Sequence, residues 1–318
     1  MKHRILAALT GELRIVPALV LALVAVSVLV PDFLGDQTLG AVLDRSNING
    51  IIALGMAVAL IAGQLDLSVG STLAVSGLVA IGLQEQLGAP LAALAGVAVG
   101  AGIGAINGFM VTRLGVNSLV ATLASLIFFR SLALTTSSGQ PISGIDFDLA
   151  LLVDRELLPG VTVRTTIFLL LALVLQLVIS GTVVGRNLMA VGGNAHSARA
   201  AGVPASGYAL AALTFSGACA GLGGVLLALT LNTGSPAVGE QTLIAVLAAV
   251  LIGGTRLEGG AGSALGTLAG VLTISVVVTA MEFSNVPAYY QQIVTGSILL
   301  AVVVSELLPR LQARAAAI

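Results

Sequence analysis

Residues 90–110 read PLAALAGVAVGAGIGAINGFM, twenty-one positions without one charged side chain. At 1.5 Å per residue, a helix of about 20 residues crosses a hydrocarbon core of about 30 Å, so this stretch is long enough to span a membrane. Within it Gly96, Gly100, Gly104 and Gly108 recur at every fourth position and trace one slowly drifting stripe on the helix surface. Such a stripe lets two backbones approach closely in lipid, where packing rather than exclusion of water holds helices together. A direct role in solute passage is the competing reading. Gly262, Gly266 and Gly270 repeat the pattern later in the chain.

The remaining sequence has the same character. Of 318 residues, 57% are apolar and 8% charged, against roughly 45–50% and 25% in a soluble domain. Thirteen Lys and Arg with fourteen Asp and Glu cannot cover a globule with a charged skin, so most of the surface must face lipid. Ten apolar stretches stand out, at 15–30, 48–63, 67–83, 90–110, 117–134, 165–181, 206–231, 241–254, 262–282 and 290–307. The expected fold is therefore an all-α integral membrane protein of about ten transmembrane helices, forming one domain over residues 1–318.

The longest break, residues 135–164, carries Pro141, Gly144, Pro159 and Gly160 with five charges between Asp146 and Glu156. It reads as an extracytoplasmic loop holding a short surface helix. With the N-terminus inside, nine basic residues fall on the cytoplasmic side, namely Lys2, Arg4, Arg14, Arg113, Arg186, Arg199, Arg256, Arg310 and Arg314. Only Arg45, Arg130, Arg155 and Arg164 fall outside. Cytoplasmic loops hold the excess of Lys and Arg, so both termini are expected in the cytoplasm. The basic residues before Ile15 resemble the start of a signal peptide, but the apolar run continues through Val28, Leu29 and Val30 beyond the small-residue site, and a retained first span is the better reading.

Several chemistries are excluded by counting. Net charge is −1, which leaves no footprint for nucleic acid. Cys219 is the single cysteine, and His3 and His196 are the only histidines, so an intramolecular disulfide, a thiolate metal cage and a bis-histidine haem cannot be built, and no metal or catalytic residue is assigned. Lys2 is the only lysine and lies in no glycine-rich loop, so the chain lacks a phosphate-cradling lysine.

Two spans look short, 48–63 and 241–254, and each ends in a glycine-rich polar break, GQLDLSVGS at 63–71 and GGTRLEGG at 253–260. Interrupted segments at matching places point to a transport pathway. In the first break Asp66 and Ser68 either cap the following helix or line that pathway, two readings the sequence leaves open. Asn107, Arg130, Gln176 and Glu282 are the other notable polar groups in apolar spans. Asn107 is placed either to bind a hydroxylated solute or to tie helices together, while Arg130 and Glu282 sit near span ends and are expected to snorkel. So few charges leave ion coupling little to work with.

The stretch GRNLMAVGGNAHSARAAGVP, residues 185–204, differs from everything around it. A short alanine-rich helix is expected from about Ser197 to Ala201, entered after Asn194 and left through Gly202 ahead of Pro204. An ordinary basic loop is the alternative.

At this stretch the chain resembles the permease subunits of sugar ATP-binding-cassette importers, the ribose, xylose, arabinose, galactoside and autoinducer-2 group. The resemblance covers nearly the whole chain. It rests on Leu65 to Ser71, Asn107-Gly108, Val120 to Leu123, Gly185-Arg186 with Ala190, Gly192, Gly193, Asn194, Arg199 and Gly202, and Val250 to Thr255 with Gly259, Gly260 and Gly262. It implies that residues 182–205 form the coupling loop that docks on a separate ATPase subunit, which would hold ATP and Mg while this chain holds no cofactor. It further implies an extracytoplasmic solute-binding protein, a second permease copy or paralogue, and a place in the bacterial inner membrane. A monosaccharide or similar small polar solute is the expected cargo. Alternatives are a branched-chain amino-acid permease of the same superfamily and, in a different class, an ion-coupled secondary transporter. Gly239 to Leu243, Arg130-Ser131 and Arg256 depart from the family's usual residues and leave the solute open.

Overall fold

The computed structural model describes residues 16–30, 33 and 35–315. The basic N-terminal residues through Arg14 lie outside the described residues, and so does their assignment to one side of a membrane. Each of the ten apolar stretches is occupied by a helix: α1 (Val16–Leu29), α2 (Asp36–Ile61), α3 (Val69–Gly82), α5 (Ala89–Arg113), α6 (Ser118–Thr136), α8 (Val163–Gly181), α11 (Ala205–Thr230), α12 (Glu240–Ile252), α13 (Ala264–Phe283) and α14 (Ala288–Ala315). Shorter helices fill the connections: α4 (Gln84–Leu87), α7 (Asp148–Asp154), α9 (Val183–Gly193) and α10 (Ala195–Ala200). Strand pairing is minimal. β1 (Ile142–Ser143) runs antiparallel to β4 (Thr233–Gly234), and β2 (Glu156–Leu158) to β3 (Val161–Thr162).

This is a helical multi-pass membrane protein. Among the described residues α5, α6, α8, α11 and α13 are long and apolar enough to cross a bilayer, and α3, α12 and Ala288–Val304 are shorter apolar helices. A helix satisfies its backbone N–H and C=O groups within itself, which a hydrocarbon surrounding demands. Leu91 and Leu94 on α5, Phe128 on α6, Leu173 and Leu177 on α8 and Leu300 on α14 are all more than half exposed. A belt of that kind would be an aggregation surface in water and is an ordinary one in lipid.

Helix starts follow local chemistry. Asn117, Thr162, Thr182, Asn194 and Ser263 each accept a hydrogen bond from a free N–H in the first turn of α6, α8, α9, α10 and α13. Such caps satisfy donors that the helix itself cannot.

Helix α11 is the centre of the bundle and packs on α5, α3 and α2. The α5 stripe is the contact. A Cβ on Gly100 would stand 2.6 Å from the Cα of Gly221, and one on Gly217 would stand 2.8 Å from the Cα and N of Gly104. The backbones are in van der Waals contact, so the glycines serve helix packing. In the later repeat, a Cβ on Gly270 would stand 2.8 Å from the N of Gly253 at the end of α12. Cys219 is buried on α11 and fills space beside Gly55.

The second span is not short. It runs from Asp36 over 26 residues, because its polar first half finds partners on other helices. Arg45 is ion-paired to Glu282 at the end of α13, Asp44 lies 3.5 Å from Arg164 of α8, and Arg164 lies 2.8 Å from Asp154 of α7. Apolar runs mark where a helix meets lipid and core, and miss a turn whose charges are paired by distant residues. Of the two spans expected to be short, α12 is so with 13 residues, and the short helix at the first break is α3, which follows it.

Candidate functional site

Between α2 and α3 the chain re-enters the bundle in non-helical form, and its polar groups are tied to three helices. Asp66 Oδ1 accepts from the N–H of Ser68 at 3.0 Å and from its hydroxyl at 2.6 Å. Asn107 Nδ2 on α5 donates to Ser68 Oγ at 2.8 Å, and Asn107 Oδ1 accepts from the Ser125 hydroxyl of α6. Leu65 is held by its N–H on Ser118 Oγ at 3.2 Å and by its carbonyl on Thr122 Oγ1 at 3.1 Å. Ser216 of α11 stands beside the carboxyl. Asp66, Ser68, Asn107 and Ser125 are all buried.

Ser68 occupies the N-cap position of α3, yet its hydroxyl donates to Asp66 instead of accepting from a helix N–H. The carboxylate therefore shapes the turn ahead of the helix. Asn107 bridges the break and α6 through the two polar atoms of its amide. Asn107→Leu keeps the volume but takes the acceptor from the buried Ser125 hydroxyl, worth about 1–3 kcal/mol when left unpaired, and leaves Ser68 only its bond to Asp66. The variant is expected to lose thermal stability in detergent by that order, whereas Asn107→Gln should retain part of it.

Arg130 does not snorkel. It is mostly buried, with Nη1 donating to the carbonyl oxygens of Pro236 at 2.5 Å and Val238 at 2.7 Å, and Nη2 3.5 Å from Glu240. A buried guanidinium is tolerable when its donors are used in this way. Its effect is to pin the segment that leads into α12. That helix begins at Gly239, whose φ of +99° only glycine adopts without strain. Here the backbone presses on Gly70 in the first turn of α3, so the two short helices start against each other.

A cavity of about 350 Å³ opens between α2, the first turns of α12 and α14. Its polar lining includes Asn49, Gln241, Gln291 and Gln292 together with the charged Arg45 and Glu240. Asp66, Ser68, Asn107 and Arg130 are not among its lining residues. The sequence does not reveal it because the lining comes from four helices, α2, α12, α13 and α14, with no local motif. The one visible signal was a pair of amide-rich turns, Glu240-Gln241-Thr242 and Gln291-Gln292, in otherwise apolar stretches.

Residues 182–205 fold as two helices rather than a loop with one. The helix α9 begins at the Thr182 cap and ends at Asn194, and α10 follows directly. Asn194 Oδ1 caps α10 through the Ser197 N–H at 2.9 Å, and Gly202, at φ +83°, turns the chain out. Arg186, Ala190, Gly193, Asn194, Arg199 and Gly202 are exposed, while Gly185 is buried and Gly192 half-buried. Neither Arg186 nor Arg199 makes an ion pair among the described residues.

The inner side of α9 is a glycine junction. A Cβ on Gly192 would stand 2.6 Å from Gly260 N, and Gly260 N–H donates to the Ile61 carbonyl at the end of α2 at 3.0 Å. A Cβ on Gly63 would stand 3.2 Å from Gly192 Cα. The exposed segment thus rests, backbone on backbone, on the last turn of α2 just ahead of the Asp66 break, and on the loop between α12 and α13. Among the described residues no cluster of His, Cys, Asp and Glu can hold a metal ion.

Comparison with known proteins gives this arrangement its context. The chain is 34% identical to the L-arabinose ABC transporter permease protein AraH of Azospirillum brasilense, over 91% of this chain and 85% of that protein. It is 33% identical to the ribose import permease protein RbsC of Bacillus subtilis (strain 168), over 90% and 89%. The D-allose transport system permease protein AlsC of Escherichia coli (strain K12) is 32% identical over 85% and 83%. No solved structure matches the chain. The family described as the branched-chain amino acid transport system / permease component matches residues 38–303. That match takes in every long helix from α2 to α14, the Asp66 break and the α9–α10 segment, and the chain belongs to this family of permease components.

Proposed function

We propose that the chain is the membrane-spanning permease subunit of an ATP-driven, binding-protein-dependent importer of a monosaccharide or similar small polar solute. The observation that carries this is 32–34% identity, over most of both chains, to permeases named for arabinose, ribose and allose. Energy comes from a partner, since the single lysine leaves no phosphate cradle here. Ten crossings with both termini cytoplasmic put residues 135–164 outside and α9–α10 inside, in the bacterial inner membrane.

In this reading α9 and α10 dock on the ATPase through Arg186, Arg199 and the small exposed residues between them. Nucleotide-driven closure of the ATPase then presses on the glycine junction. Because Gly192 contacts both the end of α2 and the loop after α12, one displacement reaches the break ahead of α3 and the loop that leads into α13. A solute delivered by the binding protein passes between two permease copies or a copy and a paralogue.

The family description names branched-chain amino acids, which makes them the second reading. Vesicles reconstituted with permease, ATPase and binding protein decide between the two. ATP-dependent accumulation of D-ribose or L-arabinose is expected, with none of L-leucine and none of any solute by the permease alone. Accumulation of L-leucine supports the second reading, and uptake by the lone subunit under an ion gradient overturns both.

A further inference from the structure

We propose that the cavity between α2, α12 and α14 is a transit subsite for a neutral polyhydroxylated solute, with Asn49, Gln241, Gln291 and Gln292 as its hydrogen-bonding groups. The assignment rests on the import reading above and adds where the solute is met on its way.

Size comes first. At about 350 Å³ the cavity lies at the lower end of the range for small-molecule sites, roughly 300–1,000 Å³. The chemistry of the lining is the stronger argument. A hydroxyl is donor and acceptor at once, and an amide side chain offers both kinds of partner, so a wall of amides pairs with a polyol in more than one orientation. Gln291 already spends Nε2 on the Val286 carbonyl at 2.9 Å, which fixes the side chain and leaves Oε1 to accept. Ile244 and Val278 add an apolar patch suited to the C–H face of a sugar ring.

Charge defines what the cavity rejects. Of its two ionic residues, Arg45 is ion-paired to Glu282, and Glu240 lies 3.5 Å from Arg130. Arg45 is answered from within the chain, so the lining offers a carboxylate no unbalanced cation, while the largely exposed Glu240 side chain keeps its charge towards solvent. Desolvating a carboxylate here would go uncompensated, whereas a neutral polyol exchanges water hydrogen bonds for amide ones. The cavity is open rather than enclosed, and a solute in transit must leave as readily as it enters.

The test uses the full transporter in vesicles, with labelled D-ribose and L-arabinose as probes. Gln241→Leu combined with Gln292→Leu removes two amides at similar volume, and Ala245→Trp fills the cavity from its apolar side. Each is expected to lower sugar uptake about tenfold, the effect of 1.4 kcal/mol, while assembly with the ATPase and the mass of the permease oligomer stay as in the parent. Gln241→Asn with Gln292→Asn should recover part of the uptake. Unchanged uptake in both the Leu pair and Ala245→Trp overturns the subsite, as does a loss of uptake that tracks a loss of assembly. A parent that accumulates neither sugar defeats the import reading itself, a result separate from failure of the variants.

Discussion

Gly104→Val is expected to abolish accumulation of folded protein in the membrane. A Cβ at this position would meet the Leu213 carbonyl of α11 and stand 3.0 Å from the Thr214 Cα. These are backbone atoms of the central helix and cannot rotate away, so α5 and α11 must part along a seam that also holds Gly100, Gly217 and Gly221. Over-packing a core that can relax costs about 1–3 kcal/mol, and this site has little means of relaxing. The control lies two residues away. A Cβ on Gly102, on the exposed side of the same helix, would meet nothing within 4 Å, so Gly102→Val should leave membrane yield and the thermal midpoint in detergent close to the parent's. Equal behaviour of the two variants would show that the stripe does not carry the packing.

Charge reversal at Arg186 and Arg199 should leave the permease folded and stop it working. Both side chains are exposed and neither has an ion-pair partner among the described residues. Surface changes of that kind usually move stability by no more than about 0.5 kcal/mol. Across a docked interface, reversed charges cost several kcal/mol, and each 1.4 kcal/mol is about tenfold in affinity. Arg186→Glu with Arg199→Glu is therefore expected to weaken ATPase association about a hundredfold or more and to abolish ATP-driven uptake, as read by co-purification and vesicle transport. Arg155→Glu, an exposed arginine between α7 and β2, should change neither. Retention of ATPase binding by the double variant would remove the α9–α10 segment from the docking surface.

Helix positions were readable because lipid makes a strong selection: an uncharged stretch of sufficient length has few structures open to it other than a helix. Caps were readable for a similar reason. Asn194 and Gly202 bracket α10 through contacts within a few residues of themselves, so local chemistry suffices. Residues 36–47 were not recognised as the first half of α2, since Asp44 and Arg45 look like loop charges until Arg164 and Glu282, more than a hundred positions away, are brought to them. Arg130 was misjudged for the same reason. Its partners are the carbonyls of Pro236 and Val238, and a carbonyl is present at every residue and leaves no mark in sequence.

Asp66, Ser68 and Asn107 stand out in the sequence as polar groups among apolar spans, and the structure buries all three, where a polar group is expensive unless it is hydrogen-bonded. Their joining into one hydrogen-bonded chain with Ser125 depends on how α3, α5 and α6 cross. The cavity lined by Asn49, Gln241 and Gln292 is of that kind as well: each residue alone is an unremarkable amide, and only the approach of three helices makes a wall of them.

Composition and spacing thus settle membrane residence, the helices and their local ends, the close-packing stripe on α5 and the lack of a phosphate cradle, all of which follow from side chains acting on lipid or on near neighbours. The length of α2, the pairings of Arg45, Arg130 and Arg164, the glycine junction under α9 and the amide-lined cavity arise from contacts between residues far apart in the chain. Those contacts exist only once the helices have packed, because a hydrogen bond or an ion pair has a range of a few ångströms and no signature along the sequence.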